Sequence, residues 1–391
     1  MITLEQALQI VLNKSTTQLA TEKVSLHESP GRVLGEDVTS DMDMPPFDKA
    51  AMDGFAIRES EIEQELDVIE TVAAGQSATK EVVPGTAIRI MTGAPIPKGA
   101  DFVIQVELSE ISCTQKVIFS GHPKNNIVYR ASDVKKGDVV LHKGQFIDAR
   151  HIAVLASVGC PQPVVYKQPK VGIISTGDEI VEPDIVPNAS QIRNSNGHQL
   201  IAQIKQSGGL PIYYGIVKDD YFDTYHALKK GMEECDILLL TGGISMGDFD
   251  FVPKIMSDLE IEIQFDWVAV QPGKPTTFGT KECKLIFGLP GNPVSSFIQF
   301  DVLVKPAIHN LMGISENRPS IQLPMGKNYS RKRAERKSYI PILINEKSQV
   351  IPTEYHGSAH IYSLPSCHGL AIIEIGIKEL KEGDLVHVRL L

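Results

Sequence analysis

The chain has few cysteines, no basic leader and no long apolar run. Its five cysteines are far apart, odd in number and without a CxxC pair, which gives no sign of a disulfide framework or a structural zinc site. The start, MITLEQALQIVLNKS, has no basic segment before its apolar residues, and no apolar run approaches the ~18 residues that span a bilayer. We therefore expect a cytoplasmic protein with no membrane partner.

Basic residues are outnumbered by acidic ones. Lys and Arg total 38 against 48 Asp and Glu, which leaves a formal charge of −10. Proteins that bind nucleic acid or anionic membranes need a cationic surface, so the composition argues against both partners. An anionic ligand must instead be bound by local groups.

The 391 residues are too many for one compact core, and three changes in pattern predict a multidomain chain of α/β plus β class. A capping box formed by Thr3 and Gln6 predicts an N-terminal helix. Short β-rich runs such as AIRIM and DFVIQVE then predict a β-rich domain. From Lys170, strands alternate with helices, which predicts an α/β domain with a mostly parallel sheet. The last ~80 residues, after about Pro319, are β-like again and predict a small barrel or sandwich.

The helices of the α/β domain have clear sequence signals. One is predicted near 195–206, and a second has Phe222, Tyr225, Leu228 and Met232 on one face. A third is predicted to begin at Asn292, with Pro293 as its first residue, because Asn is a good N-cap and Pro suits the first helical position.

Small and polar residues follow three strands of this domain. Glycines at the carboxyl end of a parallel strand let backbone N–H groups approach an anion, and open sheets bind ligands at that edge. The alternative is a set of tight turns that need small residues. We predict a phosphate-type pocket formed by Ser175, Thr176, Gly177, Gly242, Gly243, Ser245, Gly247, Gly291, Asn292 and Ser295.

Charged residues near these strand ends suggest how an anion is neutralised. Lys274, in QPGKPTTFG, is a candidate counter-charge, although a lone loop lysine is usually just solvated. Singly, each nearby acid is more often a cap or turn residue. As a set beside an anion site they indicate Mg²⁺, whose ligands the spacing does not choose: Glu179, Asp219, Asp220, Asp248 and Asp250.

Two segments of the β-rich part combine small residues, prolines and polar groups. They are PPFDKAAMDGFA, with Asp48 and Asp53, and RIMTGAPIPKGAD, with Thr92. The pattern is typical of rigid loops that face another surface. The alternative is a pair of β-turns without chemistry.

Six segments, in chain order, resemble the molybdopterin molybdenumtransferase family, which includes the MoeA proteins and the E domain of gephyrin. They are FDKAAMDGFA, RIMTGAPIPKGAD, GIISTGDEI, TGGISMGDFD, QPGKPTTFG and GLPGNPVSS. The resemblance implies an elongated linking domain (1–44 and 141–169), an inserted β-rich domain (45–140), a parallel-sheet molybdopterin-binding α/β domain (170–312) and a C-terminal β-barrel (313–391). It also implies a homodimer whose cleft joins the α/β domain of one subunit to the inserted domain of the other.

The resemblance further implies a reaction. Members of this family insert molybdate into adenylylated molybdopterin, with release of AMP and with Mg²⁺ present, and other proteins of molybdenum cofactor biosynthesis are implied as partners. The residues that match the family's catalytic set are Asp53, Thr92, Glu179, Asp219, Asp250 and Lys274. The carboxylates among them, Asp53, Glu179, Asp219 and Asp250, are the candidate metal ligands.

The chain departs from the family in three places, one of which is Asn194 in QIRNSN, where several relatives have an acid before the helix. Asp133 matches the acid of a GED segment and is a candidate substrate-binding residue, but this chain has Ala131 and Ser132 before it. Cys367 and His368 replace an ANGL-like stretch. The competing functions are an adenylyltransferase on the same fold, for which residues 1–170 would have no use, and a scaffold protein, which would need an added partner groove.

Overall fold

The computed structural model describes residues 1–112, 115–242, 252–314 and 321–391. Contacts divide the chain into two units. One unit comprises Met1–Glu36, Lys143–Asp148 and Val164–Leu391, and the other comprises Asp37–His142 and Ala149–Pro163. Within the described ranges, no helix is both long and apolar enough to cross a membrane.

The helices of the described residues are α1 (Leu4–Lys14), α2 (Ala149–Ser157), α3 (Ser195–Gln206), α4 (Tyr221–Glu234), α5 (Val252–Asp258), α6 (Pro293–Gln299) and α7 (Lys305–Leu311). A π-helical segment, Phe300–Val304, joins α6 to α7. Short 3-10 helices lie at Leu26–Glu28, Glu59–Glu61, Val106–Leu108 and Ile361–Ser363.

The strands in the first half of the chain are β1 (Thr21–Lys23), β2 (Val38–Thr39), β3 (Lys49–Ala50), β4 (Gly54–Ile57), β5 (Leu66–Val72), β6 (Thr86–Ile90), β7 (Phe102–Gln105), β8 (Ser109–Ile111), β9 (Lys116–Phe119), β10 (Ile127–Val128), β11 (Val139–Leu141), β12 (Val164–Tyr166), β13 (Lys170–Thr176), β14 (Ile180–Val181) and β15 (Ile192–Arg193). Those that follow are β16 (Leu210–Val217), β17 (Ile237–Thr241), β18 (Glu262–Trp267), β19 (Val270–Gln271), β20 (Pro275–Lys281), β21 (Lys284–Leu289), β22 (Ile321–Pro324), β23 (Tyr329–Ser330), β24 (Lys337–Ile344), β25 (Val350–Pro352), β26 (Gly369–Ile373), β27 (Glu379–Leu380) and β28 (Leu385–Leu390).

The first unit contains the predicted α/β sheet, in the order β16-β13-β17-β21-β20-β18. The first four strands are parallel, and β20 and β18 are antiparallel additions at one edge. The strands β13 and β17 are buried along nearly their whole length, as expected when helices cover both faces of a sheet. This sheet brings the predicted strand ends to one edge.

The helix predictions are largely confirmed. The helix α3 spans the predicted residues, Thr3 and Gln6 form the capping box of α1, and Asn292 precedes Pro293 at the start of α6. The predicted buried face of α4 is wrong at Phe222, which is 72% exposed. Leu228 is fully buried and Tyr221 packs against the same core, so the buried stripe begins one residue before Phe222.

The first unit also contains the C-terminal strands. Five of them join β19 in a second six-stranded sheet, ordered β19-β24-β26-β28-β22, with β25 paired to β24, while β23 and β27 pair with each other. His368, which departs from the family pattern, directly precedes β26, and its Nδ1 accepts a hydrogen bond from the Ile344 N–H of β24 at 3.0 Å. The predicted strands in IPILI, LAIIEI and LVHVRLL correspond to β24, β26 and β28 and are confirmed.

The second unit is β-rich, as predicted. Its six-stranded sheet has the order β7-β4-β6-β5-β9-β8, with β5 and β6 parallel and the other pairs antiparallel. Alternate residues of β4 face two separate cores, so that Phe55 and Ile57 pack on one side and Ala56 on the other. Because both faces of β4 are buried, the loops at its ends have a rigid support.

Candidate active site

Three neighbouring parallel strands of the first unit end together. The strands β13, β17 and β21 end at Thr176, Thr241 and Leu289. Gly242 has a φ of +91°, and a Cβ there would lie 2.2 Å from the carbonyl oxygen of Thr176. Only glycine permits this approach. The predicted convergence of Thr176, Gly242 and Gly291 is thus confirmed in position, and their contact with a substrate stays a prediction.

Asn196 connects these strand ends. It lies in the first turn of α3, and its Nδ2 donates to the Thr241 Oγ1 at 2.9 Å and to the Gly291 carbonyl at 2.8 Å. No sequence motif singles out this residue. Its Oδ1, like the Oγ1 of Thr176, is buried without a hydrogen-bond partner in the described part of the chain. Unpaired buried polar atoms are costly; the Thr176 hydroxyl can donate a hydrogen bond to an anion, whereas the Asn196 amide oxygen can only accept one.

The Ser175 side chain is buried beneath the surface of the candidate site. It is fully buried, and its hydroxyl accepts a hydrogen bond from the Asn194 Nδ2 at 3.0 Å. The same nitrogen donates to the Tyr213 hydroxyl at 2.7 Å, while the Asn194 Oδ1 caps α3 at the Gly197 N–H. The Ser175 hydroxyl thus helps to fix the start of α3 through Asn194, and the contact of Ser175 with a substrate stays a prediction.

The turn before α6 carries the other predicted binding residues. Asn292 is the N-cap and Ser295 is only 2% exposed. The backbone N–H of Val294 donates to the carbonyl of Ser358 at 3.0 Å, so one amide of this helix start already has a partner. At Gly291, by contrast, an added Cβ would make an ordinary van der Waals contact, 3.9 Å from the Gly242 Cα, the nearest atom among the described residues.

Lys274 lies over an aromatic ring. Its Nζ is 3.6 Å from the centroid of Trp267. The preceding carbonyl, of Gly273, accepts hydrogen bonds from the Gln299 Nε2 at 2.8 Å and the Thr276 Oγ1 at 3.1 Å. The sequence predicted a stiff turn here but not the strand β20 that follows it. The turn is fixed by α6, whose last residue is Gln299.

Acidic side chains gather after β13 and β16. The Asp219 N–H donates to the Asp178 Oδ1 at 3.4 Å, and Asp220 caps α4 through the Phe222 and Asp223 N–H groups. Burial, followed by the charges of Asp178, Glu179 and Asp220, raises the pKa of the Asp219 carboxyl above its usual value. The cluster thus contains negative charge that a cation would relieve.

A complete metal site is not preformed in the described ranges. No group of three His, Cys, Asp or Glu side chains is arranged there to bind a metal ion. Five predicted residues, namely Gly243, Ser245, Gly247, Asp248 and Asp250, lie outside the described residues. The metal ligands therefore stay a prediction.

Asp53 and Thr92 are brought together in the second unit. The Asp53 Oδ1 accepts the Thr92 N–H and the Thr92 hydroxyl, both at 2.7 Å. These two hydrogen bonds, with a contribution from the charge of Arg89, lower the pKa of Asp53. Asp53 is therefore an ionised, exposed and well-oriented carboxylate at neutral pH.

The two loop segments of this unit pair with each other. Ala50 donates its N–H to Ala94 at 3.0 Å, and Gly93 donates to Ala50 at 2.8 Å. The Asp48 Oδ1 accepts the Arg130 N–H at 2.7 Å, which attaches a third segment. The loops are rigid, as predicted. That they face another surface stays a prediction.

The third segment contains Asp133 and the departure from the GED pattern. Ala131 has a φ of +59°, in the left-handed region that glycine adopts without strain. The Asp133 N–H donates to the Met44 carbonyl at 3.0 Å. The turn is therefore formed with alanine in the place of glycine, and the carboxylate is retained.

An open sheet whose parallel strands end in glycine turns defines a ligand-binding α/β protein. Comparison with known families shows which group of α/β proteins this chain resembles. Residues 172–310 match the probable molybdopterin binding domain, and residues 2–159 match the MoeA N-terminal region (domain I and II).

Relatives match the whole chain. A molybdopterin molybdenumtransferase of Staphylococcus epidermidis is 33% identical over 99% of this chain and 95% of its own length. One from Staphylococcus aureus is 34% identical with the same coverage. The crystal structure of the molybdopterin biosynthesis moeA protein from Pyrococcus horikoshii superimposes with a TM-score of 0.85, at 32% identity and full coverage of both chains. The chain belongs to the molybdopterin molybdenumtransferase family and has a MoeA-like multidomain fold with mixed sheets.

Proposed function

We propose that this protein inserts molybdenum into molybdopterin during molybdenum cofactor biosynthesis. The observation that carries the proposal is the convergence of three glycine-containing strand ends within the segment that matches a molybdopterin-binding domain. The relatives that bear the transferase name match the chain from end to end, including the β-rich unit. An adenylyltransferase on the α/β fold alone would leave that unit without a role.

We further propose that the substrate is adenylylated molybdopterin and that AMP is released. The chemistry is electrostatic, because molybdate is a dianion that approaches a pyrophosphate. Lys274 contributes a positive charge, and backbone N–H groups at the strand ends contribute dipoles. An oriented carboxylate positions the attacking oxygen on phosphorus, and AMP is the leaving group as the P–O bond of the pyrophosphate breaks. Transfer between oxyanions of this kind needs no serine or cysteine nucleophile from the protein.

Mg²⁺ fits the acidic cluster around Asp219. This ion is usually bound by one or two carboxylates together with substrate phosphates, so a preformed triad is not required. When bound, it would neutralise phosphate charge. Asp219 and Glu179 are the proposed ligands among the described residues, with Asp53 and Asp250 as further candidates.

An assay of AMP release tests the proposed function. The protein is incubated with adenylylated molybdopterin and Mg²⁺, with and without molybdate, while AMP and active cofactor are measured. We expect both products only when molybdate is present. ATP turnover without a molybdate effect would indicate an adenylyltransferase, and binding without AMP release would contradict the transferase proposal.

The substitution Asp219→Asn tests the magnesium site. Because the pKa of Asp219 is raised by burial and neighbouring acids, its ionised form destabilises the fold, and this effect disappears as the pH falls below the ordinary value of 3.8. Without Mg²⁺, we expect the variant to melt at a higher temperature than the wild type at pH 7, with a smaller difference near pH 4. Added Mg²⁺ should raise the melting temperature of the wild type more than that of the variant.

The control for this experiment is Asp184→Asn, which removes the same charge from an exposed position outside the cluster. It should respond to Mg²⁺ as the wild type does. An equal Mg²⁺ response in Asp219→Asn and the wild type would contradict a role for Asp219 in binding the ion.

The remaining organisation is also proposed. The four-part subunit with a C-terminal β-barrel, the homodimer and contacts with other cofactor-biosynthesis proteins follow from the family resemblance. The cytoplasmic location follows from the scattered cysteines and the pattern of the N-terminal residues. Sedimentation equilibrium tests the homodimer, which requires twice the chain mass of 42.9 kDa.

A further inference from the structure

We propose that Trp267 is the positioning residue for Lys274, and that its ring keeps the ammonium oriented toward the substrate's phosphate groups. The inference rests on the proposed function, because it assigns Lys274 to the binding of adenylylated molybdopterin. It adds a residue that neither the sequence motifs nor the comparisons identify. Trp267 lies at the end of β18, outside the PGKP turn that contains the lysine.

The contact between the two side chains is close. The Nζ of Lys274 is 3.6 Å from the ring centroid, well within the ~6 Å at which a cation is attracted to an aromatic face. Within the described residues, no carboxylate lies within ion-pair distance of this ammonium. That is notable in a chain with ten more acids than bases. A carboxylate would neutralise the lysine, whereas a ring orients it and leaves its charge for a ligand.

The backbones of the two residues are fixed to each other. Trp267 pairs with Pro275 across the antiparallel strands β18 and β20, and the Val268 N–H donates to the Lys274 carbonyl at 3.0 Å. On the other side, Gln299 and Thr276 bind the Gly273 carbonyl. The ring and the base of the lysine side chain are therefore in one rigid frame.

The restricted position of Lys274 affects the affinity for a ligand. A free lysine side chain loses much of its rotamer freedom when it contacts a ligand, and that loss weakens affinity. A ring that already restricts Lys274 reduces the loss. The ring contacts one side of the ammonium, and the N–H groups on the other side stay available to an anion.

A double-mutant cycle tests the inference. The dissociation constant of adenylylated molybdopterin is measured without molybdate for the wild type, Trp267→Leu, Lys274→Met and the double variant. We expect Trp267→Leu to weaken binding roughly three- to tenfold, in the range of cation–π contacts at partly exposed sites. In the Lys274→Met background, the same substitution should have no further effect. Trp267→Phe, which keeps a ring, should recover part of the affinity.

A merely structural tryptophan would give a different result. Trp267→Leu would then weaken binding equally in both backgrounds, and that additivity would overturn the inference. If Trp267→Leu does not fold, as judged by thermal melting, the comparison is made with Trp267→Phe in the two backgrounds.

Trp267 is the only tryptophan, so its emission reports the contact directly. We expect the emission of wild type and Lys274→Met to differ without any ligand, and identical spectra would overturn the inference.

The binding and AMP assays together separate this inference from the proposed function. If the substrate binds and the double-mutant cycle is non-additive, but no AMP is released, the proposed transferase activity alone is refuted. AMP release with an additive cycle would refute the role of Trp267 alone. No binding of the adenylylated pterin to the wild type would overturn both.

Discussion

Asp53→Asn is expected to lower kcat at least ~100-fold, the effect typical of removing one preorganised electrostatic group from an active site. The carboxylate is exposed, its orientation is fixed by the N–H and hydroxyl of Thr92, and its pKa is lowered. An asparagine oxygen can accept the same two hydrogen bonds, but the side chain has no charge. We therefore expect the melting temperature to stay nearly unchanged while AMP release is lost.

Asp48→Asn is the matched control for this substitution. Asp48 lies in the same segment and also accepts a backbone N–H, that of Arg130, at 2.7 Å. It is not among the residues that match the family's catalytic set, so its loss should change turnover far less. A large fall in the melting temperature of Asp53→Asn, or an equal loss of turnover in Asp48→Asn, would mark Asp53 as structural.

Gly242→Ala is expected to have the largest effect on stability. Its φ of +91° is strained for any side chain, and the added methyl group would lie 2.2 Å from the Thr176 carbonyl oxygen. Strain and overpacking together should cost about 3 kcal/mol of the free energy of unfolding, as measured by urea denaturation. The displaced strand end should also abolish binding of the adenylylated pterin.

Gly291→Ala provides the stability control at the same edge. Among the described residues, a methyl group there meets no atom closer than 3.9 Å, and the backbone of Gly291 is not in the left-handed region. We expect its free energy of unfolding to stay within about 1 kcal/mol of the wild type. Equal stability of Gly242→Ala and the wild type would show that the strand ends tolerate separation.

The sequence predicted those parts of the fold that have local signals. The bounds of α3 and the capping box of α1 depend on neighbouring residues, and both were predicted correctly. The exposure of Phe222 was not predicted, because a helical pattern does not decide which of two adjacent aromatic residues packs against the core. The strand β20 was missed because its residues, PTTFGTK, follow a Pro-Gly turn and show only a weak alternation of apolar and polar residues.

The candidate site was predicted to a similar extent. Glycine turns after apolar strands placed Thr176, Gly242 and Gly291 at one sheet edge, since parallel strands end on the same side. Asn196 and Gln299 were missed because each bonds to backbone or side chains far away in sequence. The hydrogen bond of Ser175 was not predicted for the same reason: its partner, Asn194, is 19 residues further along the chain. Residues whose role depends on such distant partners have no local pattern.

A co-crystal structure with adenylylated molybdopterin and molybdate tests the central claim most directly. We predict that the phosphates of the pterin substrate lie at the ends of β13, β17 and β21. They should be within hydrogen-bond distance of Thr176, Gly242 and the Lys274 ammonium. A substrate bound elsewhere, with this edge occupied only by water, would contradict it.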